Sequence, residues 1–376
     1  MSGSRARAGR RTYLYVVGTR PNFMKVAPVL EAMRALRPAC RHLLVHTGQH
    51  YDEEMSRVFF EELGLPRPDN DLDVGSAAPA TQTALVMQGI EALLVEQRPD
   101  WLIVAGDVNS TLGAAIAAAK QGVRVAHIEA GLRSFDRSMP EELNRILTDQ
   151  VSEVLFTHSP EAHENLQGEG VDITKIHAVG NTMIDTLVRL SGAATQRHVV
   201  ARLGIDNPYL LVTLHRPALV DGPLLVDTLA ALEELSESLS VVFPVHPRTK
   251  ARIDELGLPI SNLTLSPPVS YLDFLGLQQQ AAAVLTDSGG VQEETTFLGV
   301  PCFTLRDNTE RPVTVSAGTN TLLGLDPGAV SSIPARLSST RSATPSIPGW
   351  DGKAGQRAAE VLLLTEGPEK PTGRAR

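Results

Sequence analysis

The sequence predicts two α/β domains, each built on a doubly wound parallel sheet. The chain has 376 residues, which exceeds the size at which one hydrophobic core usually suffices. Short, continuous apolar runs alternate with amphipathic stretches of helical spacing, which is typical of a parallel sheet covered by helices on both faces. This alternation restarts after roughly residue 190, so we expect two domains of the same Rossmann-like architecture.

Each element of the first half is predicted from its apolar pattern. Residues 101–105 (WLIVA) are apolar throughout, as expected of a strand buried on both faces. Residues 25–36 instead place their apolar side chains at helical spacing. The predicted strands are Tyr13–Gly18, His42–His46, Trp101–Ala105 and Val123–Ile128, and the predicted helices are Lys25–Leu36, Leu85–Glu96 and Thr111–Lys120.

The second half repeats this order of elements. The predicted strands are Tyr209–Thr213, Val241–Val245, Ala283–Thr286 and Pro301–Leu305, with helices near 224–238, 270–280 and 290–298. We place the first domain at 12–190 and the second at 191–352, with Ser191–Asn207 as the connection. Ser331–Ser346 is rich in Ser, Thr, Pro and Arg and is predicted as a surface loop before a last helix over Lys353–Leu364. The tails, 1–11 and 367–376, are expected to be flexible.

The composition restricts the class of protein. A chain that is 42% hydrophobic and 20% charged can form a sizeable core, so disorder is not expected. The net charge of −9 argues against non-specific binding of nucleic acid. No apolar run approaches the roughly 20 residues that span a bilayer, so no membrane partner is expected. Two cysteines, Cys40 and Cys302, provide no disulfide framework, and a reducing, cytoplasmic location is expected.

A basic turn follows the first predicted strand. Gly18 allows a tight turn, and the start of the next helix offers free N–H groups to an anion. Arg20 and Lys25 add two positive charges at this point. The turn is therefore a candidate phosphate site, and a plain strand–helix turn with solvated basic side chains is the alternative.

Three acidic residues follow strands or open a helix in the first domain. Asp107 comes after Trp101–Ala105, Glu129 comes after Val123–Ile128, and Glu141 lies in the first turn of a helix. Helix capping and compensation of the helix dipole are the alternatives for these acids. Because the carboxyl ends of parallel strands meet at one edge of a sheet, Asp107 and Glu129 are expected to converge there, as general acid and base catalysis requires.

The second domain has a glycine-containing turn at an equivalent position. Ser288, Gly289 and Gly290 follow Ala283–Thr286 and open a helix whose N–H groups could hold a diphosphate. Glu294, one turn later, is a candidate for binding ribose hydroxyls, and compensation of the helix dipole is the alternative.

Two histidines follow other strands of the second domain. His215 comes after Tyr209–Thr213, and His246 comes after Val241–Val245. A lone histidine at a strand end is more often structural than catalytic, but two at equivalent ends favour a functional role. The histidines and acids lack the short spacing of a metal site, so no metal is expected.

Together, the motifs resemble those of a known family. They are Gly-Thr-Arg-Pro-x-x-x-Lys at 18–25, Gly-Asp at 106–107, His-Ile-Glu-Ala-Gly-Leu-Arg at 127–133, Pro-Glu-Glu-x-Asn-Arg at 140–145, Gly-Asn-Thr at 180–182, His-Arg at 215–216, Pro-Val-His at 244–246, Thr-Asp-Ser-Gly-Gly-Val-Gln-Glu-Glu at 286–294 and Thr-Glu-Arg-Pro at 309–312. From about Tyr13 to Gly324, the chain resembles the non-hydrolysing UDP-N-acetylglucosamine 2-epimerases.

The resemblance implies a glycosyltransferase-B-like fold, with the active site in the cleft between two Rossmann-like domains and helix 353–365 joined to the first domain. It implies reversible conversion of UDP-N-acetylglucosamine (UDP-GlcNAc) to UDP-N-acetylmannosamine (UDP-ManNAc), in which UDP leaves to give 2-acetamidoglucal and then adds back. It also implies a homodimer that binds a UDP-sugar and uses no cofactor. Domain closure is expected to assemble the catalytic residues.

The family's functional residues transfer to this chain position by position. By resemblance, the acid–base and sugar-contacting residues are Asp107, Glu129, Glu141 and His215. By resemblance, the other substrate-binding residues are Arg20, Lys25, Arg133, His246, Phe274, Ser288, Gly289, Gly290, Glu294 and Arg311. Phe274 matches a residue that contacts uracil, and core packing of a short helix is the alternative for it.

The chain departs from the family pattern in several places. Val108–Thr111 stands where many relatives carry threonines, Pro217–Leu219 replaces an Arg and a Glu, and only Trp350–Gly352 remains of a longer motif before the last helix. Of a second, activating UDP-GlcNAc site, Gln49 and His50 are present, but the loop Val74–Pro79 differs. The alternatives are a hydrolysing epimerase that releases N-acetylmannosamine and UDP, an epimerase of a related UDP-acetamido sugar, a glycosyltransferase, and a binding protein without catalysis.

Overall fold

The computed structural model describes residues 11–48, 64, 67–258, 260–339 and 345–365. The chain forms two compact units: one comprises the described residues of Met1–Thr186 and Gly349–Arg376, and the other comprises those of Leu187–Pro348. In this part of the chain, no helix combines the length and the apolar character needed to cross a membrane. Of the predicted tails, only Arg11 lies within the described residues.

The described part of the first unit is built on a seven-stranded parallel sheet. Its strands are β1 (Thr12–Val17), β2 (Arg41–His46), β3 (Asn70–Asp71), β4 (Trp101–Ala105), β5 (Arg124–Ile128), β6 (Val154–Thr157) and β7 (Ile176–Ala178). The strand order is β3-β2-β1-β4-β5-β6-β7. The helices are α1 (Arg20–Leu36), α2 (Pro79–Gln97), α3 (Asn109–Lys120), α4 (Pro140–Val151), α5 (Pro160–Gly168) and α6 (Thr182–Gln196), the last of which continues into the second unit.

The central strands of this sheet are buried on both faces, as their continuous apolar sequences predict. Leu14 of β1 and Leu102 of β4 pack into an apolar cluster with residues of α2 and α3. Their neighbours Tyr15 and Trp101 point to the other face and are also buried. Burial at about 25 cal/mol per Å² of apolar surface makes this packing the main stabilising contribution. It fixes the carboxyl ends of β1, β4 and β5 next to one another.

The second unit is built on a six-stranded parallel sheet of equivalent winding. Its strands are β8 (Tyr209–Thr213), β9 (Ser240–Pro244), β10 (Leu263–Ser266), β11 (Ala283–Thr286), β12 (Cys302–Thr304) and β13 (Asn320–Leu322), in the order β10-β9-β8-β11-β12-β13. The helices are α7 (Val199–Leu203), α8 (Pro217–Val220), α9 (Leu224–Leu235), α10 (Pro247–Leu256), α11 (Tyr271–Gln280), α12 (Gly289–Leu298), α13 (Val313–Ser316) and α14 (Ile333–Ser339).

The predicted surface loop Ser331–Ser346 is wrong for its first part. A 3₁₀ turn over Pro327–Ser332 leads directly into α14. Val330 and Ile333 are fully buried in the core of the second unit, and Leu337 packs against the same core. Spacings of three and four residues put these side chains on one helical face, and this apolar spacing outweighs the turn-like composition.

The C-terminal segment completes the first unit. Its helix α15 (Ala354–Leu364) packs against α1. Gly355 allows the two helices to approach closely, because a Cβ at this position would lie 2.6 Å from the carbonyl carbon of Pro28. Asp185 of α6 accepts hydrogen bonds from the backbone N–H groups of Ala354 (3.0 Å) and Gly355 (2.7 Å). The first unit is therefore assembled from both ends of the chain.

The structure contains every strand predicted from the sequence. The bounds of β4, β8 and β11 are those predicted, and the other predicted strands differ by one or two residues. The units separate between Thr186 and Leu187, inside α6, whereas the sequence places the domain boundary between residues 190 and 191. Cys302 is fully buried in β12.

Candidate functional site

Each sheet has one point at which the strand order reverses direction. In the first unit this point lies between β1 and β4, and in the second it lies between β8 and β11. Loops that leave the carboxyl ends of such strands diverge and form a crevice, where ligands of open α/β sheets bind. Most of the residues predicted to be functional lie in the loops that follow these strands and β5, or in the helices that follow those loops.

The turn after β1 is stabilised by Asn22, which the sequence did not indicate. Its Oδ1 accepts hydrogen bonds from the backbone N–H groups of Gly18 (3.2 Å) and Thr19 (3.0 Å). Its Nδ2 donates to the carbonyl oxygen of Ala105 at the end of β4 (2.8 Å). Gly18 is required here because a Cβ would collide with Ser110. Arg20 begins α1, and its side chain lies outside the described part of the structure.

Lys25 and Glu129 form a buried ion pair. The Lys25 Nζ contacts the Glu129 carboxylate, and about 7% of each side chain is exposed. Gly106 lies directly beside this pair, since a Cβ there would lie 3.0 Å from Lys25 Nζ and 3.3 Å from Glu129 Oε2. Glu129 has a φ of 69°, a left-handed conformation that costs energy for a residue with a Cβ. The structure thus pairs Lys25, a cation of the predicted phosphate site, with Glu129, a predicted catalytic acid.

Asp107, which follows β4, is held by a residue of α4, the helix that follows β5. Arg145 of α4 donates to Asp107 Oδ2 (2.5 Å) and to Glu142 Oε2 (2.8 Å). Glu142 also accepts hydrogen bonds from the backbone of Ser134 and Phe135, so it organises the loop before α4. A quarter of the Asp107 side chain is exposed, which leaves its carboxylate accessible to a ligand.

Glu141 and Glu142 have different environments despite being neighbours. Glu141 is exposed in the first turn of α4, whereas Glu142 is buried. The first turn of a helix carries a positive partial charge that stabilises both carboxylates. The exposed residue of the two is Glu141, the one that the sequence resemblance selected for contact with the sugar.

Arg133 is placed differently from the other predicted substrate-binding residues. It is buried, and its guanidinium donates to Glu169 (2.6 and 2.7 Å) and contacts Asp149 (2.7 Å). A further N–H group donates to the carbonyl oxygen of Leu132. Four of the five N–H groups of the guanidinium therefore have protein partners. This arrangement favours a role in fixing the loop after β5 over direct contact with a substrate.

In the second unit, Asp287 fixes the loop that follows β8. It is fully buried, and its Oδ2 accepts from the backbone N–H groups of His215 (2.9 Å) and Arg216 (2.7 Å). The His215 Nδ1 lies 2.8 Å from Asp287 Oδ1. Burial alone would raise the pKa of Asp287, but these contacts with His215 and Arg216 bring its pKa below the usual value. The anchored His215 ring stays 56% exposed, as a ligand-contacting imidazole requires.

The turn between β11 and α12 carries an arginine at the helix N-terminus. Ser288 is the N-cap residue, and α12 begins at Gly289. A Cβ on Gly289 would lie 2.3 Å from Nη1 of Arg311, so glycine lets the guanidinium lie against the start of α12. Arg311 in turn pairs with the fully buried Glu293 (2.7 Å). Free N–H groups and a cation at one helix end are suited to an anion such as a diphosphate.

Glu294 lies deeper than the sequence suggested. It is 3% exposed and accepts hydrogen bonds from the hydroxyl of Tyr271 (2.9 Å) and from Nε2 of Gln278 (2.6 Å). Burial raises the pKa of Glu294 to about 7, against the opposing effect of these two hydrogen bonds. Its carboxyl therefore titrates near neutral pH.

Three predicted residues of the second unit remain, and the first of them, Gly290, is the second residue of α12. His246 is exposed after β9, where its carbonyl oxygen accepts from Lys250 N (2.9 Å) in the first turn of α10. Phe274 of α11 is partly buried and packs against an apolar cluster that includes Val199 and Leu277. Core packing, the alternative stated for Phe274, accounts for this position, although part of the ring is still accessible.

Several contacting residues were not found by sequence reasoning. They are Asn22, Arg145, Asp287, Tyr271 and Gln278. Arg145 and Asp287 lie inside the motifs quoted above, so their motif positions were the available signal. Tyr271 and Gln278 had none, because only the packing of α11 against α12 brings them to Glu294.

Comparisons relate most of the chain to known proteins. The family model described as UDP-N-acetylglucosamine 2-epimerase matches residues 34–363. A Methanococcus maripaludis protein named UDP-N-acetylglucosamine 2-epimerase is 40% identical over 369 residues, which are 95% of this chain and 98% of that protein. A Pseudomonas aeruginosa protein named UDP-2,3-diacetamido-2,3-dideoxy-D-glucuronate 2-epimerase is 42% identical over 315 residues, 83% of this chain and 88% of that protein.

Solved structures show the same relationship. The crystal structure of Methanocaldococcus jannaschii UDP-GlcNAc 2-epimerase in complex with UDP-GlcNAc and UDP matches this chain with a TM-score of 0.87 at 39% identity. The match covers 94% of this chain and 99% of that one. Similarity over both units confirms the predicted glycosyltransferase-B-like class of α/β fold.

Proposed function

Because this chain belongs to the UDP-N-acetylglucosamine 2-epimerase family, we propose that it interconverts UDP-GlcNAc and UDP-ManNAc without net hydrolysis. UDP is eliminated from the sugar to give bound 2-acetamidoglucal, and it then adds back. The observation that carries this proposal is the acid pair of the first unit. Asp107 and Glu129 follow neighbouring strands, and each is held by a cation, Arg145 or Lys25.

The acid pair fits the chemistry of the elimination. The proton at sugar carbon 2 passes to a carboxylate while the bond between carbon 1 and the UDP oxygen breaks. The electron pair of the C–H bond forms the C1=C2 double bond, and UDP leaves with the electrons of the C–O bond. In the return step, an acid delivers a proton to the other face of carbon 2 as UDP attacks carbon 1. Asp107, Glu129 and the exposed Glu141 are the groups proposed for these transfers.

The second unit is proposed to hold UDP. Charge that develops on the leaving diphosphate needs positive groups fixed in advance. The N-terminus of α12 with Ser288, Gly289 and Arg311 supplies such groups, and His215 is an exposed imidazole anchored by Asp287. Glu294 is proposed to accept hydrogen bonds from the ribose hydroxyls.

Incubation of the protein with UDP-GlcNAc in deuterated water tests the proposed reaction. Reversible proton transfer at carbon 2 is expected to give UDP-ManNAc with one deuterium at that carbon, measured by NMR and mass spectrometry. Free N-acetylmannosamine and UDP as the only products would replace the proposal with the hydrolysing outcome. Recovery of UDP-GlcNAc without deuterium would refute both forms of epimerase.

The Pseudomonas aeruginosa relative favours a second candidate substrate. Its name specifies a UDP-diacetamido-uronate, and its identity of 42% is comparable to the 40% of the Methanococcus maripaludis protein. The same elimination at carbon 2 would serve this sugar. The ratio of kcat/KM for the two UDP-sugars decides between them, and a ratio above 10 in favour of the uronate would make it the substrate.

A further inference from the structure

Three successive carbonyl groups between β4 and α3 are held by buried side chains. The carbonyl oxygen of Ala105 accepts from Asn22 Nδ2 and from Thr111 Oγ1, both at 2.8 Å. That of Gly106 lies 2.8 Å from His127 Nε2, and that of Asp107 accepts from Asn144 Nδ2 (2.8 Å). A loop is normally free to move, but this one is fixed at each carbonyl. The fixed residues end at Asp107, a proposed catalytic acid.

His127 is the central member of this set and is fully buried in β5. Its Nδ1 lies 2.7 Å from Asp149 Oδ1, opposite the contact with Gly106. Asp149 is a carboxylate acceptor, because its Oδ2 receives Gly131 N (3.1 Å) and contacts Arg133 (2.7 Å). The Gly106 carbonyl can only accept a hydrogen bond, so Nε2 of His127 is the donor in this contact. The contact of Nδ1 with Asp149 orients the ring for it.

The contacts of His127 join the two strand ends that carry the acids. Through Nε2 it holds Gly106, whose α-carbon lies beside the head groups of Lys25 and Glu129. Through Asp149 it is connected to Gly131, two residues after Glu129. A movement of Gly106 would therefore change the position of Asp107 and the packing around Glu129 at the same time.

We propose that His127, oriented by Asp149, is a positioning residue that fixes the Gly106 carbonyl and thereby the geometry of the acid pair Asp107 and Glu129. This inference rests on the proposed function, since it assigns the pair the proton transfers at carbon 2. His127 does not contact the reacting atoms. In metal sites, residues that hydrogen-bond to the metal ligands orient those ligands. His127 is proposed to act in the same way on two carboxylates.

Two substitutions at this position separate its two hydrogen bonds. The amide nitrogen of a glutamine can take the place of Nε2 and donate to the Gly106 carbonyl. The amide nitrogen of an asparagine can take the place of Nδ1 and donate to Asp149, but it does not reach Gly106. His127→Gln is therefore the matched control for His127→Asn.

The proposal predicts that the contact with Gly106 decides activity. His127→Asn should lower kcat about 100-fold, since small misplacements of catalytic groups cost this much. His127→Gln should stay within about tenfold of the natural protein, by the same argument. KM for UDP-GlcNAc and the affinity for UDP should change less than about threefold in both, because neither variant alters the second unit. Hydrogen exchange should increase in residues 105–109 of the asparagine variant alone.

Other results would overturn the proposal. Equal loss of kcat in both variants would mean that the contact with Gly106 does not decide activity. A more active asparagine variant would mean that the bond to Asp149 matters more. Wild-type protein with ¹⁵N-labelled histidine gives a test that needs no variant: a His127 ring without a proton on Nε2 would contradict the assignment. Lack of turnover by the wild-type protein would instead refute the proposed function, and the exchange and NMR results would still decide the positioning role.

Discussion

Glu294 is a buried carboxyl group whose pKa is raised by folding. Folding transfers it from water to a site where 3% of the residue is exposed and where Tyr271 and Gln278 are its partners. Burial raises its pKa from 4.5 to about 7, so the folded protein holds this proton at pH values where the unfolded chain has lost it. Stability therefore falls as pH rises from about 4.5 to 7, and it changes no further above that range.

This linkage predicts the effect of Glu294→Gln on stability. Relative to the variant, the natural protein should lose about 2.5 kcal/mol of unfolding free energy between pH 5 and pH 8, at 1.36 kcal/mol per pKa unit. The variant has no carboxyl at this position and so lacks this dependence. Urea unfolding of both proteins at several pH values measures the difference. The exposed Glu237→Gln is the control, and parallel pH curves for Glu294→Gln and the natural protein would contradict the prediction.

The sequence was informative about which residues lie at strand ends and less so about their partners. Asp107 and Glu129 were predicted because a polar residue directly after a buried strand is evident from the sequence. The partners come from far along the chain: Arg145 lies 38 residues from Asp107, and Asn22 lies 83 residues from Ala105. Such pairs depend on which helix packs beside which strand. The local periodicity of the sequence does not indicate this packing.

At the scale of elements, long apolar segments were predicted well and short polar ones were missed. β4 and β8 are continuous apolar runs in the middle of their sheets, and their bounds were predicted. β3 has two residues, Asn70 and Asp71, and lies at a sheet edge, where one neighbour is enough to define a strand. β13 is likewise a short edge strand. An edge strand is fixed by pairing, which its own composition does not reveal.

The contact between α6 and α15 yields a prediction for Asp185. Its carboxylate acts as the cap of α15, because it accepts the N–H groups of Ala354 and Gly355. Asp185→Ala should lower the free energy of unfolding of the first unit by about 1–2 kcal/mol, the usual cost of losing a helix cap. Thermal or urea unfolding measures this change. Gln356→Ala, on the exposed face of the same helix, should have little effect, and equal stability of the two variants would refute the capping role.

At the scale of the molecule, the proposed reaction divides its residues between the units. The acids are proposed in the first unit and the nucleotide-binding groups in the second. Asp107→Asn and Glu129→Gln should therefore lower kcat by about 100-fold or more, the usual contribution of acid–base groups, while UDP binds as before. Calorimetric titration with UDP and the rate of deuterium exchange measure the two quantities.

A reciprocal variant completes this test. His246 is one of the substrate-binding residues implied by the family resemblance, and we propose that it contacts UDP. His246→Ala removes this exposed residue's imidazole and should weaken UDP binding about tenfold, the value of one hydrogen bond to a charged group. Near-normal turnover of both acid variants would remove the assignment of Asp107 and Glu129. Loss of UDP affinity in those same variants would remove the division of roles between the units.

The position of α15 also has a consequence for the order in which the chain folds during synthesis. The second unit is one continuous segment, Leu187–Pro348, so all of its residues are synthesised before those of α15. The first unit begins earlier but lacks the helix that packs on α1 until residues 354–364 emerge. Domains usually complete folding in the order of synthesis. Here we expect the later segment to finish first, and a chain truncated after residue 350 and released from the ribosome should have a protease-resistant second unit and a protease-sensitive first one.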